Sequence, residues 1–178
     1  MLKGKVILVT GGAQRVGREI VLALAADGAD VVIHYNRSEV EAKQLADELR
    51  EKFKQTPLLV RADLTRSEEV AKIIPEIIAK KKKIFALINN ASIFTDKLFE
   101  LVSEAEWDTN FSVHTKAPFL LAQAAYLPMK KGGGGKIINI ADWAGEQPYK
   151  DYLPYCVYKG ALITLTKALA KSMAPEIQ

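Results

Sequence analysis

The sequence predicts a doubly wound, parallel α/β sheet folded as one domain. Short β-branched runs alternate with helical stretches along the chain, and such units assemble through right-handed crossovers. The strand runs are continuously apolar, as in VILV, VVI and KIINI. Strands covered by helices on both faces read that way, whereas half-exposed strands alternate. Residues suited to chemistry, namely Gly11, Arg37, Asp63, Asn90 and Asp142, follow the strands, at the end where such sheets bind ligands.

In chain order, Val6–Thr10 reads as a strand and residues 15–27 as a helix. Asp30–His34 is a second strand, followed by a helix over 39–53. Leu58–Arg61 is a third strand, with a helix over 67–80 after it. Ile84–Asn89 is the fourth strand. A long helix is expected over 106–129, bent or ended near Pro118 and Pro128. Residues 132–135 are four glycines, a flexible loop before a fifth strand over 136–141. The last helix is expected over 152–173.

The 178 residues suffice for one domain with a sizeable core. Hydrophobic content of 49% and charged content of 26% are those of an ordinary soluble globular protein. A net charge of +4 gives no case for nucleic acid, and the run Lys80–Lys83 reads as a solvated helix end. No apolar run approaches membrane-spanning length, and the first residues lack a signal-peptide pattern. Cys156 is the only cysteine, which excludes an intrachain disulfide and fits a reducing, cytoplasmic setting. It is expected to pack as a small apolar residue beside Tyr155. No metal is expected.

Thr10–Gly17 reads T-G-G-A-Q-R-V-G, between the first strand and the first helix. Small residues there let backbone N–H groups approach a pyrophosphate, and the helix N-terminus adds partial positive charge. A site for NAD would place an acid near the end of the second strand to hold the ribose diol. No acid stands between Val31 and Ser38. Arg15, Arg37 and the Ser38 hydroxyl suit a 2′-phosphate instead, so NADP is expected over NAD.

Tyr155 and Lys159 lie four residues apart, on one face of a helix. An ammonium beside a phenol favours phenolate, so the spacing predicts a Tyr155 pKa lowered toward the working pH. Such a tyrosine can exchange a proton as a carbonyl or imine is reduced.

Together with A62-D63-L64, N89-N90-A91-S92, Asn110 and the run I137-I-N-I-A-D142, these segments stand in one order. In that order the chain resembles the short-chain dehydrogenase/reductase family over essentially its whole length. Within that family it is similar to the pteridine reductases. Arg15 stands where the second glycine is usual, and the segment His34–Ser38 is similar to their NADPH phosphate-binding segment. Asp142 replaces the usual serine thirteen residues before the tyrosine, and Phe94 matches a pterin-stacking phenylalanine.

The resemblance implies a Rossmann-type fold and an NADPH-dependent oxidoreductase with a dihydropterin-like or dihydrofolate-like substrate. Gly11, Arg15, Val16 and Gly17 would shape the phosphate turn. Arg37 and Ser38 would hold the 2′-phosphate, His34 and Tyr35 would support the adenosine side, and Asp63 and Leu64 would meet adenine. Asn90, Ala91 and Ser92 would line the ribose and nicotinamide. Asp142, Tyr155, Lys159 and Asn110 would form the catalytic set, Asn110 holding Lys159 and a water. Ser92, Phe94, Asp142 and Tyr155 would face substrate. Alternatives are a carbonyl or 3-oxoacyl thioester reductase and a non-catalytic NADP-binding sensor. Members commonly form homodimers or homotetramers through helices corresponding here to 106–129 and 152–173. They also continue past the segment corresponding to Met173–Gln178 with further strands and a substrate loop. The expectation is therefore one NADP-binding domain over residues 1–178, with the C-terminal strands missing.

Overall fold

The computed structural model describes residues 2–178. Five strands, β1 (Val6–Val9), β2 (Asp30–Tyr35), β3 (Leu58–Arg61), β4 (Ala86–Asn89) and β5 (Lys136–Asn139), pair in parallel in the order β3-β2-β1-β4-β5. The helices are α1 (Arg15–Ala26), α2 (Glu39–Phe53), α3 (Ser67–Lys81), α4 (Glu104–Phe111), α5 (Ala117–Lys131) and α6 (Leu153–Met173). The chain winds outward from β1 to β3, then returns past β1 to β4. The strand order therefore switches between β1 and β4, and a crevice opens there beyond the carboxyl ends of the strands.

The continuous apolar runs follow from burial on both faces. Ile7, Val9, Val31, Ile33, Ala86 and Ile88 point to one side and pack with Val21, Ala25, Leu45 and Leu49 of α1 and α2. Val6, Leu8, Val32 and Leu87 point to the other and pack with Ile73, Ile77, Leu121 and Met129 of α3 and α5. The period of two sends neighbours to opposite layers, so every central-strand position needs an apolar residue.

β5 departs from that expectation. As the outermost strand it is half exposed, with Ile138 in solvent. Its outer edge meets the chain's last residues, the Ile137 N–H donating to the Gln178 carbonyl at 2.8 Å and the Gln178 N–H to Gly135 at 3.1 Å.

The helix expected over 106–129 also differs. It starts at Glu104, because Ser103 caps it: its hydroxyl accepts from the Glu106 N–H while the Glu106 carboxylate accepts from the Ser103 N–H. The helical run does not end at Pro118. It widens into a π-helical stretch over Ser112–Lys116, where the Ala117 N–H bonds Ser112. Pro118 has no N–H to give its own turn and its ring crowds the carbonyl four residues back, which accounts for the widening just before it. Pro128 stands inside α5.

Leu87 is fully buried at the centre of the sheet, between β1 and β5. Leu87→Ala should lower the unfolding free energy by about 3 kcal/mol through lost burial and a residual cavity, measured by urea denaturation. A change within about 0.5 kcal/mol would contradict this placement of the core.

Candidate active site

A cleft of about 820 Å³ runs across the carboxyl ends of the strands. It is lined by Gly11, Arg15, Val16, Gly17, His34, Tyr35, Arg37, Ser38, Asp63, Leu64, Asn90, Ala91, Ser92, Phe94, Asp142, Tyr155 and Lys159. Every residue proposed from the sequence is there except Asn110.

At the switch point, β1 and β4 are latched together. The buried Thr10 hydroxyl accepts from the backbone N–H groups of Asn90 and Ala91, both at 3.0 Å. The Asn90 amide donates to the Thr10 and Gly11 carbonyls at 2.9 and 3.2 Å. Asn90 thus braces the glycine turn, while Ala91 and Ser92 continue along the cleft wall. Gly11 has a φ of +61°, and a Cβ on Gly17 would fall 2.1 Å from the Gly11 carbonyl oxygen, so neither position accepts a side chain without distortion. Arg15 has a φ of +51°, a left-handed conformation that costs a non-glycine residue about 1 kcal/mol. An arginine kept there, exposed at the mouth of the cleft, is a strained residue at a candidate binding surface. The first turn of α1 has no acid and no side-chain cap, which leaves its N–H groups to the cleft.

The end of β2 is fixed by His34. Its Nδ1 accepts from the Gly11 N–H and its Nε2 donates to the Ala62 carbonyl, both at 3.1 Å. The ring ties the glycine turn to the end of β3, and this pattern specifies the neutral Nε2–H tautomer. Burial lowers its pKa to about 4, partly offset by the Ala62 bond. The exposed Arg37 and the uncommitted Ser38 hydroxyl follow. Burial works against the Asp63 carboxylate, but the Thr65 N–H and hydroxyl bonds and the Asn36 side chain outweigh it, leaving its pKa lowered.

At the other end, Tyr155 donates its hydroxyl to Asp142 Oδ2 at 2.6 Å. Asp142 Oδ1 also accepts from the Ala144 N–H at 2.7 Å and the Tyr149 hydroxyl at 3.4 Å. The Tyr155 bond and these others hold the Asp142 carboxyl below its usual range. Lys159 is buried and donates to the Ile140 carbonyl at 2.6 Å, and burial lowers its pKa. The expected lowering of the Tyr155 pKa is reversed. Burial and the bond to the Asp142 carboxylate raise it, because the hydroxyl's close partner is an anion and the ammonium stands 5.6 Å from the ring centroid. Phe94 stacks on Tyr152 at 4.2 Å and meets Tyr155 edge-on at 4.8 Å. Tyr152 and Tyr149 were missed in the sequence, although Tyr152 lies three residues before Tyr155.

Asn110 does not hold Lys159. Its side-chain amide donates to the Glu106 carbonyl of its own helix at 2.9 Å, while the Lys159 ammonium bonds the Ile140 carbonyl. Thr109 and Val113 of this helical stretch line the cleft, and His114, one turn after Asn110 and fully buried, packs behind the cleft wall. Its ring meets Tyr155 edge-on at 5.4 Å and contacts Ser92, Ile93 and Asn110. The available signal was its spacing of four from Asn110 in a helical run. Among the described residues no group of His, Cys, Asp or Glu could hold a metal, and no helix is long and apolar enough to cross a membrane.

The family model for short chain dehydrogenase matches residues 5–178, and the chain belongs to that family. It is 36% identical over 174 residues to the 3-oxoacyl-[acyl-carrier-protein] reductase FabG of Aquifex aeolicus, covering 98% of this chain and 70% of that protein. FolM alternative dihydrofolate reductase 1 from Brucella suis, solved with NADP, superposes with a TM-score of 0.90 at 33% identity, covering 98% of this chain and 72% of that one. L-sorbose reductase from Gluconobacter frateurii, solved with NADPH and L-sorbose, has a TM-score of 0.95 at 27% identity, over 99% of this chain and 67% of that one. The chain spans about two thirds of the length of such relatives.

Both buried histidines have folded-state pKa values of about 4 against an ordinary 6.5. The unfolded chain therefore binds more protons between those values, and stability present above about pH 6.5 is lost as pH falls toward about 4. Unfolding free energy from urea titration should drop by roughly 2 kcal/mol per histidine between about pH 7 and pH 5. His34→Gln should remove about half of that pH-dependent loss. A flat profile would mean that the rings are not held neutral.

Proposed function

We propose that this short-chain dehydrogenase is an NADPH-dependent oxidoreductase that reduces a pteridine, with Tyr155 as proton donor. The observation that carries the reading is the Tyr155–Asp142 pair, joined at 2.6 Å in the cleft that the glycine turn opens. Tyr155 is held as a phenol and so is charged with a proton to give. Asp142 is an acceptor-only carboxylate. It suits a substrate that presents amino or ring N–H groups, which a serine hydroxyl would bind less strongly.

The residues at the other end of the cleft fit a dinucleotide phosphate. Glycine at 11 and 17 lets backbone come close, α1 offers free N–H groups, and Arg15 and Arg37 supply charge without a competing acid. When bound, the reduced nicotinamide supplies the hydride. Lys159 supplies a buried positive charge and a donor suited to the ribose hydroxyls beside Tyr155. Asp63 and Leu64 suit the adenine end. Ser92 and Phe94 border the space between the nicotinamide end and Tyr155, and Phe94 with Tyr152 offers aromatic surface for a planar ring. Residues 1–178 would serve as one NADP-binding domain. The exposed Phe111, Phe119 and Val157 give α4, α5 and α6 apolar surface that a second copy would cover in a homodimer or homotetramer.

The 36% identity to a 3-oxoacyl thioester reductase favours a second reading, reduction of a 3-oxoacyl thioester. NADPH oxidation followed with dihydrobiopterin, dihydrofolate and acetoacetyl thioester in parallel separates the two. Turnover of the pterins alone is expected, and turnover of the thioester alone would overturn the pteridine assignment. Tyr155→Phe should lower kcat by about 10²–10⁴-fold with NADPH affinity nearly unchanged; retained turnover would remove Tyr155 as the acid. Arg37→Ala should weaken NADPH binding about tenfold or more by loss of charge-assisted bonds, while NADH binding stays constant. Equal effects on both cofactors would place the 2′-phosphate elsewhere.

A further inference from the structure

His114 is the one fully buried polar side chain in the wall beside Tyr155 whose role is unassigned, and its contacts fix where its proton sits. Its Nδ1 lies 3.1 Å from the Asn110 carbonyl oxygen, which can only accept. Its Nε2 lies 3.3 Å from the Ile93 N–H, which can only donate. The opposite tautomer would set a lone pair against a carbonyl and an N–H against an N–H. The ring therefore carries its proton on Nδ1 and offers a lone pair at Nε2. Burial, and secondarily the Lys159 charge, keep the ring neutral, holding its pKa at about 4.

The Ser92 hydroxyl oxygen stands 3.0 Å from that same Nε2. With Nε2 an acceptor, the 3.0 Å Ser92 contact is a hydrogen bond only with the Ser92 hydrogen turned inward, sharing the ring's one lone pair with the Ile93 N–H. Ser92 is exposed and lines the cleft, so what it shows the cleft is oxygen lone pairs. We propose that His114 is a positioning residue that polarises Ser92, making Ser92 an obligatory hydrogen-bond acceptor that selects ligands carrying an N–H or O–H donor there. A free serine hydroxyl rotates to suit either kind of partner; this one does not. The inference rests on the proposed ligand cleft. The donor it selects comes either from the pteridine or from the cofactor's carboxamide.

The first test needs no ligand. Long-range ¹H–¹⁵N correlation NMR on the intact protein should show His114 as the Nδ1–H tautomer, and an Nε2–H tautomer would overturn the proposal. The second compares binding of 2,4-diaminopteridine with that of 2,4-dimethoxypteridine, which lacks the donors, to protein saturated with NADP+, alongside NADPH affinity by fluorescence. Wild type should favour the diamino ring by at least about tenfold, because an acceptor left without a donor is costly. Ser92→Ala and His114→Phe should lose that preference, and His114→Gln, which returns an acceptor toward Ile93 and Ser92, should recover most of it. If the preference is instead absent and NADPH affinity falls about tenfold in His114→Phe with recovery in His114→Gln, the selected donor belongs to the cofactor. Both affinities and the diamino preference within twofold of wild type in Ser92→Ala, with only the melting temperature lowered in His114→Phe, would reduce His114 to a structural residue. A wild type that binds neither NADPH nor a pteridine would defeat the proposed function, and the tautomer would still decide the fate of the His114 assignment.

Discussion

The site depends on a latch across the gap where the sheet reverses its winding. β1 and β4 run parallel and pair along their length, but beyond Val9 and Asn89 the ladder ends and the two chains must part. At that point Thr10 takes the N–H groups of Asn90 and Ala91, and the Asn90 amide returns two bonds to the Thr10 and Gly11 carbonyls. Backbone groups that would otherwise be buried and unpaired are thereby satisfied. The same bonds fix how far the glycine turn stands from the Ala91–Ser92 wall. Gly17 is held hard against that arrangement, with no room for a methyl group. The turn's shape, the direction of α1 and the near edge of the cleft all follow from this one contact set.

Charge in the far half of the cleft is set by which partner lies nearest rather than by the sign of the most conspicuous neighbour. Lys159 is buried one helical turn from Tyr155, and spacing alone suggests that it draws the phenol toward phenolate. Its ammonium instead bonds Ile140, while the Tyr155 hydroxyl points at Asp142. A hydrogen bond at 2.6 Å to a carboxylate outweighs a cation held farther off. The outcome is a neutral acid beside a fixed anion, with the cation shielded behind them. Asp142 in turn stays charged because two hydroxyls and one N–H converge on it.

The fold was legible because its signals are local and repeated. Apolar runs such as VILV marked strands buried on both faces, and the switch-point rule placed the chemistry beyond them. Boundaries failed where a specific bond decided them: the S-E-A-E capping box moved a helix start from residue 106 to Glu104. Most of the site was legible too, since residues following parallel strands necessarily share one crevice. Asn110 was not, because its side-chain amide closes on the Glu106 carbonyl one turn back in its own helix rather than reaching toward Lys159. Spacing places a residue on a helix face but does not say which neighbour its side chain will bond. The acid–base direction at Tyr155 failed for a related reason: spacing locates neighbours but not the direction in which a hydroxyl points.

The two histidines show how the same side chain can be set to opposite purposes. His34 has an N–H aimed at its Nδ1 and a carbonyl at its Nε2, so it is an Nε2–H imidazole. His114 has the carbonyl at Nδ1 and the N–H at Nε2, so it is an Nδ1–H imidazole. In each case two backbone groups of fixed polarity choose the tautomer, and burial prevents a second proton from cancelling the choice. His34 spends both nitrogens on backbone and acts as a staple between the glycine turn and β3. His114 has backbone on both sides as well, but its Nε2 lone pair is shared with a hydroxyl that faces the cleft. Fixed backbone polarity thus passes through one ring to the cleft surface, where a rotatable hydroxyl acquires a set direction. No charge is placed in the wall to achieve this, which matters with the Lys159 ammonium buried close by.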